Sequence, residues 1–242
     1  MSVAGGTIQS AMVMAAGLGK RMRPLTATRP KPLVPVAGRA LIDHTLERIA
    51  DAGIGHVIVN VHYLADALEA HVRGSNWPFA VDISDERDGL LETGGGLVKA
   101  APLFRGDPIL CANSDNIWTD GPTNAITLLA QRWNDAEMDA LLLLVPQARA
   151  TGHGGHGDFH MDKLGRLSRR KPGRIAPFVF TGVQLVSQRL LRDAPDGAFS
   201  TNILWDRAIA EGRLYGLSHI GRWFDVGTPP AIPLVEAALA EI

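Results

Sequence analysis

Short apolar runs alternate with segments of helical periodicity along the first 146 residues of this 242-residue chain. Ile42, Leu46 and Ile49, for example, share one face of a helix, and Gly53 ends that pattern. Apolar and β-branched runs predict strands over residues 11–15, 56–61, 80–84, 108–112 and 140–145. Helical spacing predicts helices over residues 42–52, 64–72, 94–101 and 124–132.

This alternation predicts an α/β fold with a doubly wound, mainly parallel but mixed sheet and helices on both faces. Such sheets bind ligands beyond the carboxyl ends of their strands. The periodicity weakens over residues 151–178, which are rich in Gly, His and Arg, before a predicted strand over 178–185 and a helix over 203–210. The sequence contains neither a repeat nor a linker, so we expect one domain over residues 10–242, after a flexible extension at residues 1–9.

The composition argues against several classes of protein. The 24 Lys and Arg residues nearly balance the 25 Asp and Glu residues, so we expect no broad basic face for a nucleic-acid polymer. No apolar run is long enough to span a membrane, and residues 1–10 lack the features of a signal peptide. The single cysteine, Cys111, excludes an intrachain disulfide and lies in an apolar run, where we expect it to fill core space. These features are typical of a cytoplasmic protein.

The first predicted strand runs into a glycine-rich, cationic loop that contains Gly17, Gly19, Lys20 and Arg21. Glycines let backbone N–H groups approach an anion closely, and Arg21 together with Lys31 can neutralise its charge. The loop is not a Walker loop, because no Gly stands five positions before Gly19 and Lys20 is followed by Arg. It also lacks the third glycine of a dinucleotide-binding turn. The loop therefore predicts a site for nucleotide phosphates.

Three later loops carry residues that suit the same ligand. Residues 94–96, all glycine, open a predicted helix, where close backbone approach and free N–H groups favour a flat or anionic ligand. Asp115 follows a predicted strand, and Asp225 lies between apolar residues, where an unpaired charge would be costly. Taken alone, either carboxylate could be a helix cap or half of a surface ion pair. Beside a phosphate loop, the two together predict a magnesium site.

His153, His156 and His160 form a second candidate metal motif. Spacing by three and four residues can ligate zinc on a helix, but the glycines between these histidines disfavour a helix, and no cysteine is near them. A glycine-rich loop around a sugar or a phosphate is the preferred interpretation.

Taken in order, the loops resemble the sugar-1-phosphate nucleotidyltransferase family over about residues 10 to 229. The matching motifs are Gly17-Leu18-Gly19-Lys20-Arg21-Met22, Lys31-Pro32, Glu92-Thr93-Gly94-Gly95-Gly96, Asn113 to Asp115, and Asp225. One departure is Ser114, where the family usually has glycine, so the serine must tolerate the backbone angle of a glycine. A narrower resemblance, to the subgroup that acts on N-acetylmuramic acid 1-phosphate, rests on the short chain and on Trp118-Thr119-Asp120, Gly155-His156-Gly157-Asp158-Phe159 and Asp225-Val226-Gly227-Thr228.

This resemblance implies a Rossmann-like, GT-A-like nucleotidyltransferase fold, with a nucleotide-binding half over about residues 10–120 and a sugar-binding half over about 121–242. It implies that the substrates are UTP and a sugar 1-phosphate, preferably N-acetylmuramic acid 1-phosphate, with Mg²⁺ as the cofactor. The products would be UDP-N-acetylmuramic acid and pyrophosphate, in peptidoglycan recycling. We expect neither a nucleic-acid polymer nor a membrane as a partner, and we expect a monomer.

The resemblance also implies roles for individual residues. The catalytic residues would be Arg21, Lys31, Asp115 and Asp225, with Asp115 and Asp225 as metal ligands. The nucleotide contacts would come from Gly17, Gly19, Lys20, Arg21, Lys31, Gly94, Gly95 and Asn113. The contacts to the sugar phosphate would come from Glu92, Asp158, Thr181 and Gly182.

Two alternatives stay open at this point. One keeps the chemistry and changes the substrates, as in a mannose-1-phosphate guanylyltransferase or a glucose-1-phosphate uridylyl- or thymidylyltransferase. The other is a catalytically inactive nucleotide-binding regulatory subunit, which would be expected to have lost one of Arg21, Lys31, Asp115 and Asp225, whereas all four are present.

Overall fold

The computed structural model describes residues 7–241. Its strands are β1 (Ala11–Met14), β2 (Pro35–Val36), β3 (Arg39–Ala40), β4 (His56–Val61), β5 (Ala80–Asp85), β6 (Ile109–Asn113), β7 (Asn116–Trp118), β8 (Ala140–Pro146), β9 (Ala150–Thr151), β10 (Phe159–Met161), β11 (Leu167–Arg169), β12 (Phe178–Val186), β13 (Leu214–Ser218) and β14 (Trp223–Asp225). Its α-helices are α1 (Leu41–Asp51), α2 (Ala65–Gly74), α3 (Glu92–Ala100), α4 (Ala125–Arg132), α5 (Asn202–Ala210) and α6 (Ala231–Ala240).

A nine-stranded mixed sheet forms the centre of the molecule. Seven of its strands follow the order β11-β10-β12-β6-β1-β4-β5, while β8 pairs with β12 and β13 pairs with β8. The strands β6, β1, β4 and β5 are parallel to one another, as the strand–helix alternation of the sequence predicts. The α/β fold with a mixed sheet is thereby confirmed.

The sheet departs from simple strand–helix repetition at β12. This strand lies antiparallel to both β6 and β8, so the predicted strand over 140–145 does not extend the parallel set next to β6. The register of β12 against β8 shifts between Phe180 and Gln184, and there the other edge of β12 changes its neighbour from β10 to β6. Apolar periodicity identifies a buried strand, but it does not determine which strand lies beside it.

Helices cover both faces of the sheet, as predicted. The apolar faces of α1, α2 and α4 pack into one hydrophobic cluster, and those of α3 and α5 pack into a second cluster on the opposite face. Ile42, Leu46 and Ile49, the face predicted from spacing, are fully buried in α1. A third cluster lies under α6, which the sequence pattern missed together with the short sheet β7-β14-β9.

The structure describes the last residues of the predicted N-terminal extension. Residues 1–6 lie outside the described part of the chain. Ile8 is buried in the cluster with α1, and the Ser10 hydroxyl donates to the Arg105 carbonyl oxygen over 2.9 Å. Burial of an apolar side chain holds residue 8 against the core, and the flexibility of the extension stays a prediction. None of the helices described is long and apolar enough to cross a membrane.

Candidate active site

An open cleft of about 390 Å³ lies beyond the carboxyl ends of β1, β4 and β6. Its walls include Gly17 after β1, Lys31, Asn60 in β4, Glu92 at the start of α3, and Asp115 after β6. The cleft therefore occupies the position at which a parallel sheet is expected to bind ligands.

The glycine loop forms one wall of this cleft and packs closely against Lys31. Gly19 has a φ of +60°, and a Cβ atom at Gly19 would lie 2.9 Å from the Cβ of Lys31. The Thr26 hydroxyl donates to the Gly19 carbonyl oxygen over 2.8 Å and closes the turn. Only glycine fits this left-handed, crowded position. Lys20 and Arg21, which follow the turn, are exposed to solvent.

Lys31 and Asp115 form an ion pair at the floor of the cleft. The Lys31 Nζ lies 2.5 Å from Asp115 Oδ2, and Lys31 is only 9% exposed. Lys31 belongs to a short 3₁₀ turn between two buried prolines, Pro30 and Pro32. The lysine stem is therefore held rigidly, with its charge directed towards the end of β6.

Asp225, at the end of β14, faces the same cluster of charges. Burial raises the pKa of its carboxyl above the ordinary value, and the negative charge of Asp115 raises it further. The positive charges of Lys31 and Arg21 lower this pKa without offsetting the rise. Gly227 leaves room for the arrangement, because a Cβ there would lie 3.1 Å from Asp225 Oδ1 and 3.3 Å from an Arg21 guanidinium nitrogen.

The acidic pair fits a divalent cation that takes part of its coordination from a ligand. Over the described range 7–241, no group of three or more His, Cys, Asp and Glu side chains is arranged to hold a metal ion. Mg²⁺ is commonly held by one or two carboxylates together with substrate phosphates. Asp115 and Asp225 meet that description, and the negative charge of Asp115 raises the energy of the ionised form of Asp225.

The three histidines of the zinc hypothesis do not come together at this site. His153 lies beside Asp225, with Nδ1 3.9 Å from Asp225 Oδ2, whereas His156 and His160 are exposed. The segment that carries them is largely irregular, with only the strand β10 at its end. Helical spacing of ligands therefore does not apply here.

Gly94 and Gly95 lie where the sequence predicts, at the start of α3, but the chain itself fills the space that they leave. Both backbone N–H groups donate to the Phe199 carbonyl oxygen, over 2.8 Å and 3.2 Å. A Cβ at Gly94 would overlap the Phe199 ring, and one at Gly95 would overlap the Gly197 carbonyl oxygen. The expectation of free N–H groups was therefore wrong for these two glycines, because a segment about 100 residues later uses them. Their contact with a nucleotide stays a prediction.

The residues predicted to contact the sugar phosphate differ in position. Glu92 is exposed at the cleft with a φ of +57°, while Asp158 accepts a hydrogen bond from the Phe180 N–H over 2.9 Å. Thr181 is fully buried, and its hydroxyl donates to the Leu143 carbonyl oxygen over 2.8 Å. The Thr181 side chain is therefore occupied within the sheet and is not directed at a ligand. Gly182, with a φ of +86°, gives space to the side-chain amide of Asn116.

Ser114 and Asn113 complete the turn after β6. Ser114 is not among the residues with positive φ, so the serine adopts this turn without left-handed strain. Its N–H donates to the Met14 carbonyl oxygen over 3.2 Å. Asn113 lines the cleft beside Asp115.

Sequence reasoning missed a buried polar network behind the glycine loop. The Asn60 side-chain oxygen accepts hydrogen bonds from the N–H groups of Ala15 and Ala16, over 2.6 Å and 3.2 Å. Its amide nitrogen donates to Glu86 over 2.7 Å, and the fully buried Glu86 also accepts from the Leu91 N–H over 3.1 Å. The network fixes the glycine loop to the start of α3. An asparagine between two valines of a buried strand is the signal that could have revealed it.

A glycine turn, a buried lysine and two carboxylates at the carboxyl end of a parallel sheet characterise α/β proteins that bind nucleotide phosphates. The chain belongs to the nucleotidyl transferase family, since a model of that family matches residues 10–156. The family predicted from the loops is thereby confirmed.

Two known proteins and one solved structure are similar over most of their length. The N-acetylmuramate alpha-1-phosphate uridylyltransferase of Caulobacter vibrioides is 44% identical over 96% of this chain and 97% of its own. The protein of the same name from Neisseria meningitidis serogroup B is 33% identical, over 90% and 93% of the two chains. The inositol-1-phosphate CTP transferase of T. maritima superposes with a TM-score of 0.79 over 98% of this chain and 96% of its own, at 14% identity, which supports the fold alone.

Proposed function

We propose that this chain is a sugar-1-phosphate nucleotidyltransferase that makes UDP-N-acetylmuramic acid and pyrophosphate from UTP and N-acetylmuramic acid α-1-phosphate. The observation that carries the proposal is the meeting of Lys31, Asp115 and Asp225 beside the glycine loop. The choice of substrates rests on the similarity, over nearly the whole chain, to proteins named for that reaction. Such an enzyme would act in peptidoglycan recycling.

The reaction would be an in-line displacement at the α-phosphorus of UTP. An oxygen of the sugar phosphate attacks, and the new P–O bond forms as the bond from the α-phosphorus to its bridging oxygen breaks. That oxygen leaves with the electron pair as part of pyrophosphate. The attacking phosphate is already ionised near neutral pH, because its second pKa is about 6. No general base is needed, so positioning and charge neutralisation supply the catalysis.

Different cations of the cleft would bind different phosphates of UTP. Lys31, rigid and nearly buried, would neutralise the α-phosphate and the attacking phosphate as they approach. Arg21 is exposed and can reach outward from its place beside Gly227 to hold the departing pyrophosphate. Backbone N–H groups from Gly17 to Lys20 would contact the same phosphates.

Asp115 and Asp225 would hold Mg²⁺, which when bound supplies positive charge to the phosphoryl oxygens. The two carboxylates would otherwise repel both substrates. Lys31 balances one of these charges, through Asp115, and the exposed Arg21 acts on Asp225.

The second half of the chain would shape the site of the sugar. We propose that residues 10–242 form one catalytic domain, with nucleotide contacts mainly from residues 10–120 and sugar contacts mainly from residues 121–242. Glu92 would contribute from the first half, as an exposed carboxylate at the cleft. We further propose that the chain acts in the cytoplasm, where UTP is available and where a single cysteine stays reduced.

A pyrophosphate-release screen tests the proposal. The four nucleoside triphosphates are each paired with the 1-phosphates of N-acetylmuramic acid, N-acetylglucosamine, glucose and mannose, with and without Mg²⁺. We expect release with UTP and N-acetylmuramic acid 1-phosphate, and only when Mg²⁺ is present. Activity restricted to GTP and mannose 1-phosphate would overturn the choice of substrates. No release with any pair would instead favour a regulatory nucleotide-binding protein.

A further inference from the structure

A recess of about 220 Å³ opens beside the cleft, on the side away from the glycine loop. It shares Met14, Thr93, Asn113 and Ser200 with the wall of the cleft, so the two spaces are adjacent. The mechanism described above uses no residue that lies only in this recess. A ligand whose reacting phosphate lies at Lys31 and Asp115 could extend a substituent into it.

The irregularity of β12 creates the recess. Phe180 and Gln184 lie on either side of the register shift, and both line this space. The bulge is held in place because the Asp158 carboxylate accepts a hydrogen bond from the Phe180 N–H over 2.9 Å. Trp205 from α5 closes the far wall, with its ring edge-to-face against Phe180 at 4.9 Å between the ring centroids.

Gln184 presents a fixed amide to this space. The residue is 4% exposed, and its side-chain oxygen accepts a hydrogen bond from the Trp205 indole N–H over 2.9 Å. Because the oxygen is occupied, the amide nitrogen is the group left to donate. The neighbouring thiol of Cys111 is a weak partner for it, since burial raises the pKa of Cys111 to about 12 and keeps the thiol neutral.

None of the described residues that line the recess is charged, in contrast to the cleft beside it. Its ten lining residues combine apolar surface from Met14, Phe180 and Trp205 with neutral hydroxyl and amide groups. Arg169 packs against the Trp205 ring at 5.4 Å, but its guanidinium is paired with Asp206 over 2.8 Å. An uncharged space of this kind disfavours a carboxylate and favours a neutral amide that carries a methyl group.

We propose that this recess binds the 2-acetamido group of the sugar phosphate, with the Gln184 amide nitrogen donating to the acetyl oxygen and Trp205 and Phe180 packing on the methyl group. This assignment rests on the proposed function and deepens it. It makes the enzyme selective for N-acetylated amino sugars over sugars with a 2-hydroxyl group. A hydroxyl would leave the Gln184 amide unpaired and the apolar walls empty, and a site built for a hydrogen bond discriminates strongly against a ligand that lacks the partner.

The test compares two sugar phosphates that differ at the 2-position, N-acetylglucosamine 1-phosphate and glucose 1-phosphate, with UTP and Mg²⁺. The measured quantity is the ratio of their kcat/KM values. We expect the unaltered protein to prefer the acetylated substrate, and Gln184→Met to lower the ratio about 10- to 100-fold. Gln131→Met, at an exposed glutamine at the end of α4, is the matched control and should leave the ratio unchanged.

Gln184→Met leaves the Trp205 indole N–H without its partner and could therefore fail to fold. A second variant tests the assignment independently of that substitution. Asn202 is exposed at the mouth of the recess, so Asn202→Phe blocks the entrance without altering the core. We expect it to lower the same ratio. An unchanged ratio in a folded Asn202→Phe protein, or no preference in the unaltered protein, would refute the assignment while leaving the proposed function intact. Absence of pyrophosphate release with every sugar phosphate would overturn the proposed function and this assignment with it.

Discussion

Two clusters of charge in this molecule have similar members but opposite balance. In the cleft, the carboxylates of Asp115 and Asp225 share one buried cation, Lys31. At the start of β8, a single oxygen of Asp139 accepts hydrogen bonds from both Arg189 and Arg213, over 2.6 Å and 2.8 Å. Among its buried and half-buried groups the first cluster has an excess of negative charge, which the exposed Arg21 partly offsets, and the second has an excess of positive charge, which the exposed Asp135 partly offsets.

The pKa values reflect this difference. Burial lowers the pKa of Arg189, but hydrogen bonds to Asp139 and Asp135 outweigh that effect and raise it overall, so the folded state favours the charge. Burial and Asp115 instead raise the pKa of Asp225, so the folded state opposes its charge. A cluster that destabilises its own charges in a cleft marks a site prepared for a ligand, whereas a balanced cluster supports the fold.

The largest effect is expected from Asp225→Asn, which removes the negative charge of Asp225 and keeps the shape of its side chain. Turnover should fall by about 10³-fold, because the carboxylate proposed to hold Mg²⁺ at the reacting phosphates is lost. The protein without Mg²⁺ should become more stable at neutral pH, as measured by thermal unfolding. The carboxyl has a raised pKa in the folded state, so its contribution to stability is fully present below about pH 3.9 and is lost as the pH rises through the folded value. The stabilisation by the variant should therefore shrink towards pH 4.

The matched control is Asp66→Asn on α2, where the side chain is 97% exposed. It should alter neither turnover nor the pH dependence of unfolding. Near-normal turnover of Asp225→Asn in magnesium buffer would contradict the two-carboxylate metal site.

The second largest effect is expected from Lys31→Met, which removes the only buried cation described in the cleft cluster. Turnover should fall by about 10²- to 10³-fold, because the charge neutralisation proposed for Lys31 at the α-phosphate is lost. Stability at neutral pH should fall as well, since Asp115 loses its 2.5 Å partner and faces Asp225 uncompensated. Steady-state kinetics and thermal unfolding measure the two quantities. Lys99→Met, at an exposed lysine of α3, is the control, and an equal loss in that variant would remove the special role of Lys31.

The two regions also differ in how far the sequence predicts them. The parallel strands β1, β4, β5 and β6 follow from apolar runs separated by helical periodicity, and Lys31, Asp115 and Asp225 were identified from short motifs. Both depend on local order along the chain. Asp115 follows a parallel strand that ends at the cleft, whereas Asp225 reaches the cleft on β14, which belongs to the short sheet β7-β14-β9 that the sequence did not predict.

What the sequence could not predict depends on contacts between distant segments. One example is β12, which lies between β6 and β8 and has a bulge at Gly182. Periodicity predicts that a segment forms a strand, but it does not predict which strands pair with it. The glycines of α3 were interpreted as space for a base, but Phe199 and Gly197 occupy that space. The Asp139 cluster joins residues 50 and 74 positions apart, and no motif in the sequence indicates it.

A stability effect without a catalytic one is expected from Asp139→Ala. The variant leaves Arg189 and Arg213 without their shared carboxylate, and breaking such a nearly buried pair should cost about 2–4 kcal/mol of unfolding free energy. The cluster lies at the amino end of β8, away from the cleft, so kcat of the folded protein should change little. Urea unfolding and kinetics below the transition measure the two effects. The control is Asp135→Ala, which removes a mostly exposed partner of Arg189 and should lower the free energy of unfolding much less.

The smallest effect is expected from Arg87→Gln, which tests whether exposure or the number of partners sets the strength of a balanced cluster. Arg87 contacts three carboxylates, Asp66, Glu69 and Asp85, at 2.7 Å, 2.9 Å and 2.6 Å, so it has more partners than Asp139. These hydrogen bonds, that to Glu69 above all, raise its pKa, but the cluster is open to solvent. Water and salt screen exposed pairs, so the unfolding temperature should change only slightly, and the change should vanish at 1 M salt. The loss of stability in Asp139→Ala should persist at the same salt concentration. A large loss of stability in Arg87→Gln that persists in 1 M salt would mean that the number of partners matters more than burial. The cleft cluster and the Asp139 cluster would then differ in charge balance alone.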